Sequence, residues 1–363
     1  MSEQQSYREQ QDLKNTLLLR EILKELPPCC AEFFRGVADE TLPLTRLAYA
    51  RDLLIFFDFL LEYKPGLSGK KRRDVPIEAL NALTLSDFEI FLEHLTYYER
   101  GEKQLQDREA AKERKLSSLR SFFGYLFKKQ YLISNVAALV DMPKRHEKAI
   151  IHLEIDEVAK LLDLVEDGSK LTKRQQAFHA QTKARDLALI SLLLGTGIRV
   201  SECVGLNLSD MDFDLGGFKV TRKGGSSSIL YFPQEVEDAL RAYMEERLKL
   251  EALPGHENAL FLSLQRKRMD VRTVQNLVKK YARVITPLKK ISPHKLRSTF
   301  GTSLYRETGD IYLVADVLGH SDVNTTRRHY AAMGDENRRI AAHAVHLRDD
   351  GPKDEPPKPN KKE

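Results

Sequence analysis

The sequence predicts a mainly α fold with a small β-hairpin (α+β), arranged as two helical domains. Three observations carry this. Apolar residues recur at helical spacing through most of the 363 residues. One pair of β-former runs, Phe218 to Arg222 and Ser228 to Phe232, flanks Lys223-Gly224-Gly225-Ser226 and reads as a hairpin with a glycine turn. A basic stretch that begins with a proline, Pro143-Lys144-Arg145-His146-Glu147-Lys148, breaks the periodicity and reads as a linker. The expected partition is a helical domain over 1–142, a linker over 143–150, a second domain over 151–346, and a Pro/Lys/Asp-rich tail over 347–363 with too little apolar content to fold.

In the first domain a helix is expected from Thr16 to Leu26, ahead of Pro27-Pro28. The next spans Leu44 to Tyr63, with Leu47, Leu53, Leu54, Phe57, Leu60 and Leu61 as its apolar content. Another starts near Ser86, a good N-cap, and carries Phe88, Ile90, Phe91 and Leu95. The last spans Arg108 to Lys129, where Leu116, Leu119, Phe123 and Leu126 form a core stripe. Arg114, Ser117 and Ser121 fall on its opposite face. Small hydroxyls beside an arginine let a helix approach a phosphate backbone closely, though a solvated face fits equally well. Lys144 and Arg145 in the linker are also placed to lie along DNA, a weak signal because most charge runs are simply solvated.

In the second domain Ile155 to Leu164 is a short amphipathic helix. Ala184 to Leu194 is strongly apolar and should be buried. It stops at Gly195-Thr196-Gly197, which turns the chain and delivers Arg199 from the core floor. A charged group beside so much apolar sequence needs a partner, and Glu202, three residues on, is the candidate. After the hairpin, helices are expected over Glu235 to Lys249, Asp270 to Ile285, Ser292 to Glu307, Ile311 to Leu318, Ser321 to Ala332 and Glu336 to Val345.

Composition narrows the chemistry. With 58 Lys+Arg against 53 Asp+Glu, the net charge is +5, which permits nucleic-acid binding without demanding it. Cys29, Cys30 and Cys203 have no metal-site spacing. An odd, sparse set of thiols suits a reducing compartment, so a cytoplasmic location is expected. Ser2 to Lys14 is polar, unlike a signal peptide, and no apolar run approaches the roughly 18 residues of a membrane span. Phosphate-cradling glycine loops and His-Glu-x-x-His are missing from the sequence, so neither a nucleotide cofactor nor a metal is expected.

The densest chemistry lies between Ser292 and Tyr330. Ser292 and Pro293 suit the N-cap and first position of a helix, and His294 and Arg297 are three apart on one face. An imidazole and a guanidinium over a helix N-terminus can seat a phosphodiester. For this hexapeptide alone, a capped surface helix with two solvated residues is the favoured reading. Leu318-Gly319-His320 follows, then Tyr330.

Taken with Thr196-Gly197-Ile198-Arg199-Val200-Ser201-Glu202 and Lys223-Gly224-Gly225, these residues resemble the tyrosine recombinase/integrase family. Within it they look most like the Xer group, and in Thr221 to Gly225 and Thr182 to Asp186 most like its single-recombinase XerS branch. The resemblance implies a helical SAM-like core-binding domain followed by a tyrosine recombinase catalytic domain. It implies that Tyr330 attacks DNA to form a 3′-phosphotyrosyl bond, that Arg199 and Arg297 grip the scissile phosphate, and that Glu202 orients the site. His294 would serve acid/base chemistry, His320 would hydrogen-bond a phosphate oxygen, and Lys223 would protonate the departing 5′-oxygen. Double-stranded DNA carrying a recombination site is the implied partner, with four protomers on two sites and no cofactor. Chromosome dimer resolution and mobile-element integration or excision both fit. Rivals are a DNA-binding protein that has lost catalysis and a type IB topoisomerase. Two features depart from the family pattern: Ser298 stands where a histidine is common, and the spacing from His320 to Tyr330 is one residue longer than in most members.

Overall fold

The computed structural model describes residues 6–144, 150–222, 225–320 and Val323. The chain separates into two compact units, Met1–Lys148 and Ala149–Glu363.

The first unit runs α1 (Tyr7–Leu23), α2 (Pro28–Gly36), α3 (Pro43–Tyr63), α4 (Ile77–Asn81), α5 (Leu85–His94), a hairpin of β1 (Tyr98–Arg100) and β2 (Lys103–Leu105), and α6 (Glu109–Lys128). Helix α1 begins earlier than the apolar pattern indicates because Ser6 and Glu9 cap each other's backbone N–H groups. Helix α2 is unexpected. Pro27-Pro28 reads as a stop, yet Pro28 starts a new helix, where its missing N–H leaves nothing unsatisfied. Helix α5 is capped not by Ser86 but two residues earlier, the Asp87 carboxylate accepting from the Thr84 N–H at 2.8 Å. The β1–β2 hairpin pairs Tyr98 with Leu105, and its short, polar strands carry no alternation to read.

Phe56 of α3 sits at the centre of this unit. Its ring lies 5.8 Å from that of Phe88, 5.2 Å from Phe91 and 5.9 Å from Phe123. Leu116, Leu119, Phe123 and Leu126 of α6 are all buried against the same core. Phe56→Ala should therefore cost about 3–5 kcal/mol of stability. In urea denaturation this should appear as a lower midpoint at unchanged slope; an unchanged midpoint would mean that the aromatic cluster does not hold the unit together.

The second unit runs α7 (Ile155–Asp167), α8 (Lys173–His179), α9 (Lys183–Thr196), α10 (Val200–Gly205), β3 (Met211–Asp212), β4 (Gly217–Thr221), β5 (Ser227–Tyr231), α11 (Gln234–Arg247), α12 (Val271–Ile285), α13 (Pro293–Thr308) and α14 (Ile311–Leu318). Helix α9 is the buried centre, with Ala188, Leu189, Ile190, Leu192 and Leu193 fully enclosed and α7, α11 and α13 packed around it. Its buried Asp186 is matched by Arg185 at 2.6 Å and by the Tyr281 hydroxyl at 2.9 Å, which ties α9 to α12. The expected hairpin is present and is joined by β3 into a three-stranded antiparallel sheet, with Phe218 opposite Leu230 and Thr221 opposite Ser227. Gly197 ends α9 with φ +59°, and a Cβ there would overlap the Phe300 ring and the Leu318 side chain. The glycine is thus required twice, for its left-handed backbone and for the close seating of α13 and α14.

Candidate active site

Arg199 is the N-cap residue of α10. Its backbone N–H donates to Glu202 Oε2 at 3.1 Å and its Nη1 to Glu202 Oε1 at 2.9 Å. Its Nη2 reaches across the unit to the carbonyl of Gly319 at 2.7 Å. The pairing expected from the three-residue spacing is therefore present, with a second anchor that the sequence did not indicate.

Helix α13 starts at Pro293, and the Ser292 side chain makes no capping hydrogen bond. His294 lies exposed in the first turn. Arg297 does not share that exposure. It is 4% exposed, and its guanidinium donates to the Gly197 carbonyl at 2.6 Å and to the Leu318 carbonyl. The inward turn arises because the ends of α9 and α14 both present carbonyls to this side of α13. Ser298, at the position where the family pattern has histidine, donates its hydroxyl to the His294 carbonyl at 3.1 Å.

Arg222 follows β4 and was not singled out from the sequence. Its Nη2 donates to the Val317 carbonyl at 2.9 Å and its Nη1 to Glu202 Oε2 at 3.4 Å. The signal that could have found it is the strand period. Phe218, Val220 and Arg222 alternate onto the buried face, so an arginine there must meet a partner inside.

Three successive carbonyls at the end of α14, those of Val317, Leu318 and Gly319, thus accept from three different arginines, Arg222, Arg297 and Arg199. The last carbonyls of a helix have no partner within it and carry the negative end of its dipole, so guanidiniums gather there readily. Glu202, with its side chain 6% exposed, links two of them. Burial lowers the pKa of Arg222 against the opposing pull of Glu202. Arg199 keeps 29% of its side chain exposed against 9% for Arg222, so Arg199 is the guanidinium an incoming anion meets more readily. Behind them Cys203 is enclosed, and burial pushes its thiol up to about 12, which leaves it unreactive at neutral pH. His320 follows directly on Gly319, and its N–H closes the end of α14 on the Ala315 carbonyl at 2.9 Å. The arrangement is a positively charged seat for an anion, built on the carbonyls that lead into the Leu318-Gly319-His320 motif. Lys223 and Tyr330 lie outside the described residues.

In the first unit Arg114 pairs with the buried Asp52, which also accepts from the Ser118 hydroxyl at 2.6 Å. Burial holds the Asp52 carboxyl above its ordinary pKa, opposed by Ser118 and Arg114. Arg114 remains 47% exposed. Ser117 donates back to the Glu113 carbonyl at 2.8 Å, and Ser121 is half-buried. Lys144 is exposed, and Arg145 lies outside the described residues. Among the described residues no three His, Cys, Asp or Glu side chains are grouped to hold a metal ion, and no helix is long and apolar enough to cross a membrane.

Residues 152–337 match the model of the phage integrase family. The chain is 34% identical over 325 residues to a tyrosine recombinase XerC of Caldanaerobacter subterraneus subsp. tengcongensis, covering 86% of this chain and 85% of that protein. It is 30% identical over 354 residues to a tyrosine recombinase XerS of Streptococcus mutans serotype c, covering 90% of this chain and 98% of that one. The similarity therefore divides between XerC and XerS proteins instead of singling out the XerS branch. In fold the chain is like the XerH site-specific recombinase bound to palindromic difH substrate, with a TM-score of 0.62 at 21% identity over 84% of this chain and 82% of that one. Family match, relatives of nearly full length and a mainly helical fold with small antiparallel sheets agree: the chain belongs to the phage integrase family of tyrosine recombinases, enzymes that cut and rejoin DNA strands at specific sites.

Proposed function

We propose that this protein is a Xer-type recombinase that resolves chromosome dimers, acting in the cytoplasm as a homotetramer on two copies of a double-stranded recombination site. The observation that carries the strand-cleavage reading is the convergence of Arg199 and Arg297 on the end of α14, immediately before His320, with Glu202 holding Arg199. Near-full-length similarity to both XerC and XerS proteins supports the Xer role, and the 98% coverage of a XerS protein favours the single-recombinase branch.

In this reading the Tyr330 oxygen attacks the scissile phosphorus and the bond to the 5′-oxygen breaks, leaving a 3′-phosphotyrosyl bond and a 5′-hydroxyl. Arg199 and Arg297 stabilise the charge that builds on the non-bridging oxygens. Lys223 gives the leaving oxygen its proton, His294 assists proton transfer, and His320 hydrogen-bonds a phosphate oxygen. Religation reverses these steps with the 5′-hydroxyl of another strand, so one ester replaces another and no ATP is consumed. Arg114, Ser117, Ser121, Lys144 and Arg145 meet the DNA backbone and set affinity rather than chemistry, which makes binding weaken with salt.

Mapping the DNA joined covalently to the protein in cells tests the role. A single fixed chromosomal site is expected; attachment at the ends of a mobile element would overturn the dimer-resolution reading in favour of an integrase. Metal dependence is a second check. The arginines supply the positive charge in this mechanism, so EDTA should leave the rate of adduct formation unchanged. Loss on chelation, restored by one divalent ion, would sink the metal-free mechanism.

A further inference from the structure

Arg222 has no part in the chemistry just described, yet it is bound into the same cluster. Its backbone closes the root of the β4–β5 turn, the N–H donating to the Ser226 carbonyl at 2.7 Å and the carbonyl accepting from Gly225 N–H at 3.0 Å. Its guanidinium then spans from Glu202 Oε2 to the Val317 carbonyl. It also lies close against Gly319, where an added Cβ would stand 3.1 Å from its Cζ and Nε. Gly319 has φ +59°, so backbone shape and close approach both call for glycine at this position.

The electrostatic consequence turns on Glu202. Its Oε1 orients Arg199, and a buried carboxylate bonded to Arg199 alone would cancel much of the charge that Arg199 offers to an anion. Low exposure weakens solvent screening, so the cancellation would be felt at close range. Arg222, which shares the other oxygen with the Arg199 backbone N–H, brings a second positive charge that offsets it, and the exposed Asp316 adds a further negative charge near Arg222. Arg222 keeps 9% of its side chain exposed against 29% for Arg199, and its guanidinium is turned to Glu202 and the Val317 carbonyl.

We propose that Arg222 is a positioning residue of the strand-cleavage site, holding the second oxygen of Glu202 and the Val317 carbonyl so that Glu202 orients Arg199 without neutralising it. The proposal rests on the strand-cleavage reading above. A third arginine thereby keeps the seat net positive toward the scissile phosphate and ties the hairpin root to the end of α14.

The test uses a duplex recovered from fragmented genomic DNA as the sequence to which the wild-type protein becomes covalently joined. It is prepared with an ordinary scissile phosphodiester and with a methylphosphonate, which lacks the negative charge. Arg222→Gln keeps hydrogen-bonding capacity and loses the charge; Arg222→Lys keeps the charge. Thermal melts confirm that both variants fold. At saturating phosphodiester duplex, Arg222→Gln should slow adduct formation by about 10-fold or more, short of the roughly 10²–10³-fold that loss of a direct oxyanion donor costs. Its DNA affinity should be unchanged. On the methylphosphonate the deficit should largely close, and Arg222→Lys should recover most of the rate on the phosphodiester. An equal deficit on both duplexes, or in both variants, would make Arg222 a strut and overturn the proposal, as would wild-type cleavage by Arg222→Gln. If the wild-type protein forms no adduct at all, the strand-cleavage reading fails and the role of Arg222 falls with it.

Discussion

Tyr330→Phe is expected to abolish the covalent protein–DNA adduct while leaving DNA binding intact. The substitution removes one hydroxyl oxygen and keeps the ring, so the contacts that hold DNA are retained. In the proposed mechanism Tyr330 is the nucleophile, so the covalent intermediate should not form without it, and a loss of roughly 10⁴-fold or more is the scale seen when a nucleophile is deleted from a covalent enzyme. The adjacent His329 cannot replace it, because an imidazole would not give the phosphotyrosyl ester through which the family rejoins strands. Denaturing electrophoresis of end-labelled duplex reads the adduct directly, and a mobility shift reads binding. The spacing from His320 to Tyr330 makes the result informative. An adduct of undiminished yield would show that the extra residue moves Tyr330 out of line and that another side chain attacks. Digestion and mass spectrometry of the adduct would then identify it.

The fold class was legible because the strongest patterns were long and local. The apolar run of α9 and the β-former pair around Lys223 to Ser226 each announce an element without help from distant sequence, and both are present. Features fixed by one backbone interaction were harder to read. Pro28 starts a helix where Pro27-Pro28 suggested a stop, and Thr84 takes the place given to Ser86 because Asp87 bonds back to its N–H. The short β1–β2 hairpin has too few residues to show a period. In the candidate site, the local pair Arg199–Glu202 could be read from its three-residue spacing. The aim of the guanidiniums could not. Arg222 meets a carbonyl 95 residues away and Arg199 one 120 residues away, and nothing in helical or strand periodicity encodes such a meeting. Arg297 shows the limit most clearly. Helical spacing places it with His294, but burial at the junction of α9, α13 and α14 turns it inward.

That burial makes Arg297→Ala the other change with a large expected effect, and it should act in two separable ways. The first is on stability. Arg297 donates to the carbonyls of Gly197 and Leu318, at the ends of α9 and α14. A buried acceptor left without its donor costs about 1–3 kcal/mol, so losing both should lower stability by about 2–6 kcal/mol. The second effect is on cleavage. If Arg297 also binds a non-bridging phosphate oxygen, its removal should slow adduct formation by roughly 10²–10³-fold at saturating DNA. Arg297→Lys separates the two further. An ammonium restores the charge but lacks the planar fork that reaches two acceptors at once, so it should recover part of the rate and little of the stability. Urea denaturation measures the first effect. Adduct formation per folded molecule, at a temperature well below the variant's melting point, measures the second. Should stability fall while cleavage per folded molecule stays at the wild-type rate, Arg297 would be a pin that joins α13 to the ends of α9 and α14 and not a phosphate ligand. The positive seat would then have to be supplied by Arg199 with Arg222 behind it.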